Sequence, residues 1–275
     1  MGLFLKIYDP KNVYLYENNQ LIRGDGIKYK LPAVNTVIQD DLLINTEFQN
    51  CFHYESIKEL YFNINKKYQG TTGDHLYSVC FNKNQVAIAD VRFLSIKYTD
   101  SQLQEKLVIP YVYFEHLKDG FALSYTDKIV RIEAGDEAVY FKKTELLNND
   151  YPDYESVIPD YTITPSFKID KKFITFLKEC KKLKLDNMYI NQNNKFVASD
   201  KLYNDRMEFE PDATVVEYQH NIENVDRIDN NICFNPDFIL NATGIIDTFF
   251  INTKTRPSVA KKGDEYLFII MPLRA

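Results

Sequence analysis

The sequence predicts an α+β fold of two similar domains, each with antiparallel sheets and two short helices. Three observations lead there. Tyr, Phe, Val and Ile alternate with polar residues along much of the chain, a pattern that suits strands better than long helices; 20 Tyr and 19 Phe with no Trp reinforce it. Short segments of the first half recur in the second at offsets of roughly 110 to 130 residues, too long for a solenoid and right for a duplicated domain. Helical periodicity is confined to a few short stretches. The implied division is residues 1–150, a connector at 151–160, and residues 161–275.

The recurrences run in order. Phe81-Asn-Lys-Asn-Gln-Val-Ala-Ile-Ala-Asp90 matches Ile190-Asn-Gln-Asn-Asn-Lys-Phe-Val-Ala-Ser-Asp200. Each reads as strand, polar turn, strand, with Asn82, Asn84, Asn191 and Asn193 supplying the turn chemistry. Val108-Ile-Pro-Tyr-Val-Tyr-Phe-Glu-His-Leu117 matches Ile232-Cys-Phe-Asn-Pro-Asp-Phe-Ile-Leu240, a short strand entering a short helix. Ala134-Gly-Asp-Glu-Ala-Val-Tyr-Phe141 matches Lys262-Gly-Asp-Glu-Tyr-Leu-Phe268, with Gly-Asp-Glu before an aromatic strand.

In the first half, residues 47–54 or 55–66 would hold the first helix, and residues 112–118, followed by Gly120, suit the second. In the second half Asp170 caps a helix whose apolar stripe is Phe173, Phe176, Leu177, Cys180 and Leu183. A second helix opens at Pro236 and closes at about Gly244. Between the halves, Asn, Asp and two prolines over residues 147–160 argue for an extended connector.

Composition bounds the class. Hydrophobic residues at 45% and charged ones at 26% describe a folded globular protein. No apolar stretch approaches the roughly 20 residues that span a bilayer, and Lys6 interrupts the apolar start of the chain, so neither a membrane span nor a secretory leader is expected and the expected location is cytoplasmic. Cys51, Cys80, Cys180 and Cys233 lack CxxC spacing and read as small buried side chains in a reducing compartment. The formal net charge of −6 does not exclude a nucleic-acid partner, because screening over about 10 Å makes local charge decisive.

At the connector a resemblance emerges. Tyr151-Pro-Asp-Tyr-Glu-Ser-Val-Ile-Pro159 is similar to the segment between the second and third domains of the bacterial sliding clamp, the DNA polymerase III beta subunit family. Gly263-Asp-Glu-Tyr-Leu-Phe-Ile-Ile-Met-Pro-Leu-Arg-Ala275 resembles that family's terminal strand and Met-Pro-x-Arg ending. Phe234-Asn-Pro-Asp-Phe-Ile-Leu240 resembles the opening of its last helix. Gln85-Val-Ala-Ile-Ala-Asp-Val-Arg-Phe-Leu94 is similar to its Ala-Thr-Asp-Gly-His-Arg-Leu stretch, with Val91 and Arg92 in place of Gly-His. The match runs from about Leu76 to Ala275 and covers the last two of the family's three domains, a two-domain form reminiscent of phage or mobile-element clamps.

The resemblance implies a DNA clamp (processivity) fold, a non-enzymatic subunit without cofactor or metal, and a ring around double-stranded DNA. With six domains per ring, a two-domain subunit would close as a homotrimer; a homodimer stays open. DNA would face Lys168, Lys171, Lys172, Lys178, Lys181 and Lys182, with Lys58, Lys66 and Lys67 from the first domain. Mobile ammonium groups suit sequence-independent phosphate contact; by itself, without the resemblance, the stripe reads first as a solvated helix face. Basic lining and acidic exterior are expected to separate.

A groove for the short hydrophobic peptides of the replicative polymerase and the ATP-driven clamp loader would use Leu76, Asp90, Arg92 and Leu94. Pro152, Ser156 and Val157 would join from the connector, and Ile269, Met271, Pro272, Leu273 and Arg274 from the tail. Met and Leu around a prolyl turn make an adaptable apolar surface; the plainer reading of Ile269 and Met271 is the core of a last strand.

Enzymatic readings find little support. His53, His75, His116 and His220 are scattered without zinc spacing. Gly70-Thr-Thr-Gly73 lacks the lysine of a phosphate-binding loop. Glu208, Glu210, Asp212 and Asp226 are the carboxylates that a general acid–base reading would use. A third reading is a clamp-like decoy or regulator that binds polymerase or loader without encircling DNA.

Overall fold

The computed structural model describes residues 14–17, 20–23, 28–30, 50–54, 74–114, 120–134, 137–143, 146, 151–191, 193–203, 208–228 and 232–273. Lys58, Lys66, Lys67, Arg274, the Gly70–Gly73 turn and the 55–66 helix alternative lie outside them.

In chain order the strands are β1 (Tyr14–Glu17), β2 (Gln20–Arg23), β3 (Lys28–Lys30), β4 (Asn50–Tyr54), β5 (Ser78–Asn82), β6 (Gln85–Ala89), β7 (Phe93–Tyr98), β8 (Leu107–Pro110), β9 (Phe121–Tyr125), β10 (Ile129–Ala134) and β11 (Glu137–Lys142). There follow β12 (Ser166–Lys168), helix α1 (Lys171–Leu183), β13 (Asn187–Asn191), β14 (Lys195–Ser199), β15 (Val215–Gln219) and β16 (Ile232–Phe234). Helix α2 (Pro236–Ala242), β17 (Thr248–Phe250), β18 (Ser258–Lys262) and β19 (Tyr266–Ile270) complete the chain.

The chain divides into two compact units, Met1–Glu55 with Pro110–Leu146, and Ser56–Ile109 with Leu147–Ala275. The first contains the antiparallel sheet β1-β2-β3 and a four-stranded sheet of order β11-β10-β9-β4. The second contains an eight-stranded sheet, β12-β17-β18-β19-β7-β6-β5-β8, and a four-stranded sheet, β15-β14-β13-β16.

Strand order exposes the internal repeat. The arrangement β4-β9-β10-β11 has the same connectivity as β12-β17-β18-β19, and β8-β5-β6-β7 has that of β16-β13-β14-β15. The Asn-rich hairpins are therefore β5–β6 and β13–β14, and the Gly-Asp-Glu segments join β10 to β11 and β18 to β19.

Local chemistry explains most element ends. The Asp170 carboxylate accepts from Phe173 N at 2.7 Å and caps α1. At its other end Lys184 adopts φ 58°, and Leu185 N reaches back to Cys180 O at 2.9 Å. This closure turns Leu185 into the core, and Leu183, expected in the apolar stripe, is left exposed. Asn235 caps α2 through Asp237 N at 2.9 Å, with Pro236 in the first turn. Helix α2 ends at Ala242; Gly244 is not left-handed, so its expected capping role is replaced by a right-handed cap at Thr243.

Two further expectations change. Residues 50–54 form strand β4, not a helix; alternation wins because Phe52 is fully buried while the backbone pairs with β9. The turn after Asn82 places Lys83, not an Asn, in the left-handed region at φ 53°. In the second repeat the left-handed residue is Asn194, at φ 58°, rather than Asn191 or Asn193. After β8 the chain makes a 3-10 turn at Tyr111–Tyr113; the rest of the expected 112–118 helix lies largely outside the described residues.

The core of the second repeat is aromatic. Phe167 meets Phe173 and Phe196 edge-on at 4.9 and 5.1 Å and stacks on Phe249 at 5.4 Å. Helix α1 packs against α2, and Phe173, Phe176, Leu177 and Cys180 bury its apolar face in this cluster. Cys80, Cys180 and Cys233 are buried and unbridged. Replacing Asp170 with Ala is expected to cost about 1 kcal/mol. Urea unfolding would show a lower midpoint at unchanged slope, with Asn at this position retaining most of the stability.

Candidate functional site

Two surfaces of the second unit collect the residues of interest. The first is the polar face of α1. With the apolar side turned inward, Lys171, Lys172, Lys178, Lys181 and Lys182 are all exposed. Spacings of seven and four put Lys171, Lys178 and Lys182 on one line opposite the buried stripe. Lys182 lies 3.6 Å from Glu179 in an exposed pair, which contributes little in water. Lys168, on β12 just before the helix, donates to Thr248 Oγ1 at 2.7 Å and lies 3.7 Å from Asp247. The result is a lysine face without an aromatic or bidentate reader.

The second surface forms where β7 and β19 pair. Their antiparallel register sets Leu94 against Ile269 and Phe93 against Ile270. The tail continues the contact: Met271 N donates to Arg92 O at 2.8 Å, and Leu273 N donates to Cys233 O at 2.8 Å. Held on both sides, Met271 is 39% exposed while Pro272 is buried and Leu273 half-buried. Asp90 N donates to Phe93 O at 2.8 Å, which closes the turn carrying exposed Val91 and Arg92.

The connector is fastened to the same sheet by two tyrosines. Tyr151 donates from its hydroxyl to Ala87 O at 3.2 Å. The Tyr154 hydroxyl donates to Gln85 Oε1 at 2.7 Å and accepts from Asn82 Nδ2 at 3.3 Å. Their rings meet edge-on at 6.1 Å. Both enter an apolar cluster with Leu94, Ile269, Val259 and Leu267, against which Leu76 packs from the side. With the tyrosines turned inward, the 3-10 turn Glu155–Val157 presents Ser156 and Val157 outward, and Pro152 is exposed beside it.

Leu94 and Ile269 are thus buried members of the strand core, whereas Met271, Val157 and Val91 are exposed. Pairing and the shared cluster unite Leu76, Asp90, Arg92, Leu94, Ile269 and Met271. Tyr151 and Tyr154 carried no assigned role; two aromatics three apart in the connector were the available signal.

Burial pushes the Cys80 thiol from 9.0 up to about 12, with Lys106 opposing the shift slightly. Burial likewise raises the Tyr151 and Tyr154 phenols well above their ordinary range. Among the described residues no group of His, Cys, Asp and Glu is arranged to hold a metal. Glu208, Glu210, Asp212 and Asp226 are exposed, and Asp212 is 2.5 Å from Lys201, which holds its carboxyl below the usual range.

Solved structures share this architecture. The DNA polymerase sliding clamp of Pseudomonas aeruginosa matches with a TM-score of 0.62 at 15% identity, over 96% of this chain and 76% of that one. The fold is that of a DNA sliding clamp. The polymerase III beta subunit of Thermotoga maritima matches at 0.62 and 17%, with the same coverage. The Helicobacter pylori beta clamp, in a structure bound to a DNA ligase peptide, matches at 0.60 and 16%, also over 96% and 76%. No family profile matches the sequence and no curated protein does. No helix among the described residues is long and apolar enough to cross a membrane.

The buried Cys80 thiol and the two connector phenols make an alkaline weak point. They keep their protons at pH values where the unfolded chain has lost them. Stability contributed there is complete below about pH 9 and declines as pH rises towards 12. Urea midpoints measured from about pH 8 to 11 should fall with pH, and Cys80→Ala should flatten the fall. A wild-type midpoint that rises would contradict this.

Proposed function

We propose that this chain is the subunit of a sliding clamp that encircles duplex DNA and tethers a replicative polymerase. One observation carries the reading: a clamp fold over 96% of the chain whose longer described helix turns a line of lysines outward opposite its apolar face. In this reading residues 1–150 and 161–275 are the two clamp domains, joined by the connector at 151–160. Three such subunits would supply a ring of six domains.

In this reading the α1 lysines meet phosphates as mobile point charges. Such contacts give affinity without sequence preference and leave the ring free to slide. The surface over Leu94 and Ile269 receives a short apolar peptide from the polymerase or an ATP-driven loader, with Met271 adapting its shape. Tethering then raises the effective concentration of polymerase at the primer end, and no bond is made or broken.

Light scattering across a concentration series tests the ring: a mass near three times 32.3 kDa is expected, and a persistent monomer would count against encirclement. Substituting Lys171, Lys178 and Lys182 with Ala should reduce the slope of log affinity against log salt by about 0.9 per lysine, read by anisotropy on a duplex. An unchanged slope would remove α1 from the DNA face. Met271→Glu should lower polymerase stimulation by at least about tenfold, one charge in an apolar contact costing more than about 1.4 kcal/mol, while the solution mass stays that of the wild type.

A further inference from the structure

His220 stands where the two sheets of the second unit approach each other. It follows directly on β15, which belongs to a different sheet from β12, and the bridge between Ser166 and Glu223 lies three residues further on. Its Nε2 is 2.8 Å from the carbonyl oxygen of Lys168, the last residue of β12. A carbonyl only accepts, so Nε2 carries the proton and donates. In the neutral ring Nδ1 then accepts from the Tyr218 hydroxyl at 3.4 Å. The backbone is held as well, His220 N donating to Asn194 O at 2.9 Å.

The ring is packed on both elements and on the helix. It lies flat against Phe173, in the first turn of α1, at 5.7 Å and 11°, and meets Phe167 of β12 edge-on at 5.3 Å. One side chain thus ties the ends of β12 and β15 to the turn from which Lys171 and Lys172 project into water. The charged groups on these elements are otherwise engaged. Lys168 turns its ammonium to Thr248 and Asp247, and Asp170 gives its carboxylate to the α1 cap. Glu217 and Lys195 pair with each other on the far face of their sheet, because Tyr218 and Phe196 alternate with them towards the core. Glu223 bonds to Ser166 through its backbone. Burial, with Asp170 adding to it, pushes the Tyr218 phenol up, so that hydroxyl stays neutral and can donate to Nδ1 or accept from it.

We infer that His220 is a positioning residue of the lysine face: it braces the start of α1, and its charge state sets how strongly the face holds phosphate. This rests on the proposed function for its ligand, duplex DNA. Imidazole is the side chain that changes charge between about pH 5 and 8. A proton taken up on Nδ1 keeps the bond to Lys168 O and reverses the one to Tyr218, whose oxygen then accepts. The stack on Phe173 becomes a cation–π contact. No packing is lost, and one positive charge is added at the foot of the line that Lys171, Lys178 and Lys182 form. Affinity for phosphate therefore rises as pH falls.

Duplex binding by the full chain, followed by anisotropy over a salt series at pH 8 and at pH 5.5, tests the tuning. Wild type is compared with His220→Phe, which keeps a ring, and His220→Gln, which keeps a donor. Between the two pH values wild-type affinity should rise about threefold more than that of either variant, with a log–log salt slope steeper by up to about 0.9. Comparison with the variants removes whatever the other histidines contribute. Equal rises in all three proteins would overturn the role of His220 and leave the clamp reading intact. Absence of duplex binding at both pH values would overturn the clamp reading and the tuning together. The brace is read without DNA. Amide exchange at Phe173 and Ile174, both bonded to Asp170, should quicken in His220→Phe, and nitrogen NMR of the wild-type ring at pH 8 should place the proton on Nε2. Unchanged exchange, or a proton on Nδ1, would overturn the brace.

Discussion

The antiparallel pair between β7 and β19 organises the second unit. Strands β5 to β8 belong to the first repeat and β12 and β17 to β19 to the second, yet this single pairing makes them one eight-stranded sheet. Its register fixes which side chains meet: a slip of one residue would exchange Leu94 and Ile269 for their neighbours and turn the apolar row to the other face. The tail beyond β19 depends on it too, because Met271 N reaches Arg92 O only when β19 lies along β7.

On that sheet the connector acts as a clasp. An extended, proline-containing segment has few backbone partners of its own, so its position comes from side chains. Tyr151 and Tyr154 supply both apolar area and a hydroxyl, and each hydroxyl reaches a polar partner on or beside β6. Burying the two rings forces the residues between and after them outward. The exposed row of Pro152, Ser156 and Val157 is therefore a consequence of how the tyrosines are satisfied.

The lysine face obeys a simpler rule. A helix that gives Phe173, Phe176, Leu177 and Cys180 to the core must show its remaining positions to water, and in this helix most of those positions are lysine. The same unit carries exposed Asp153, Glu155 and Asp160 on the connector. An overall charge of −6 thus coexists with a basic stripe, since most of the carboxylates lie away from it and each charge is felt over about a Debye length.

The sequence by itself determined what is local. The cap at Asp170, the apolar stripe of α1, the Pro236 opening of α2 and the hairpins around Asn191 and Gly263 each follow from a few adjacent residues. The duplication was also legible, because repeated strands need repeated turn chemistry. What tertiary structure decided is everything set by pairing across distance. It joined β7 to β19 and aimed Asn82 at Tyr154 in place of its own turn. It also made residues 50–54 a strand because Phe52 had a partner in β9, and left Leu183 outside because Leu185 filled the core. Cross-strand partners lie far apart in sequence, and their hydrogen bonds are made by backbone atoms common to every residue. Only the packed side chains on both sides of the sheet select which strands meet.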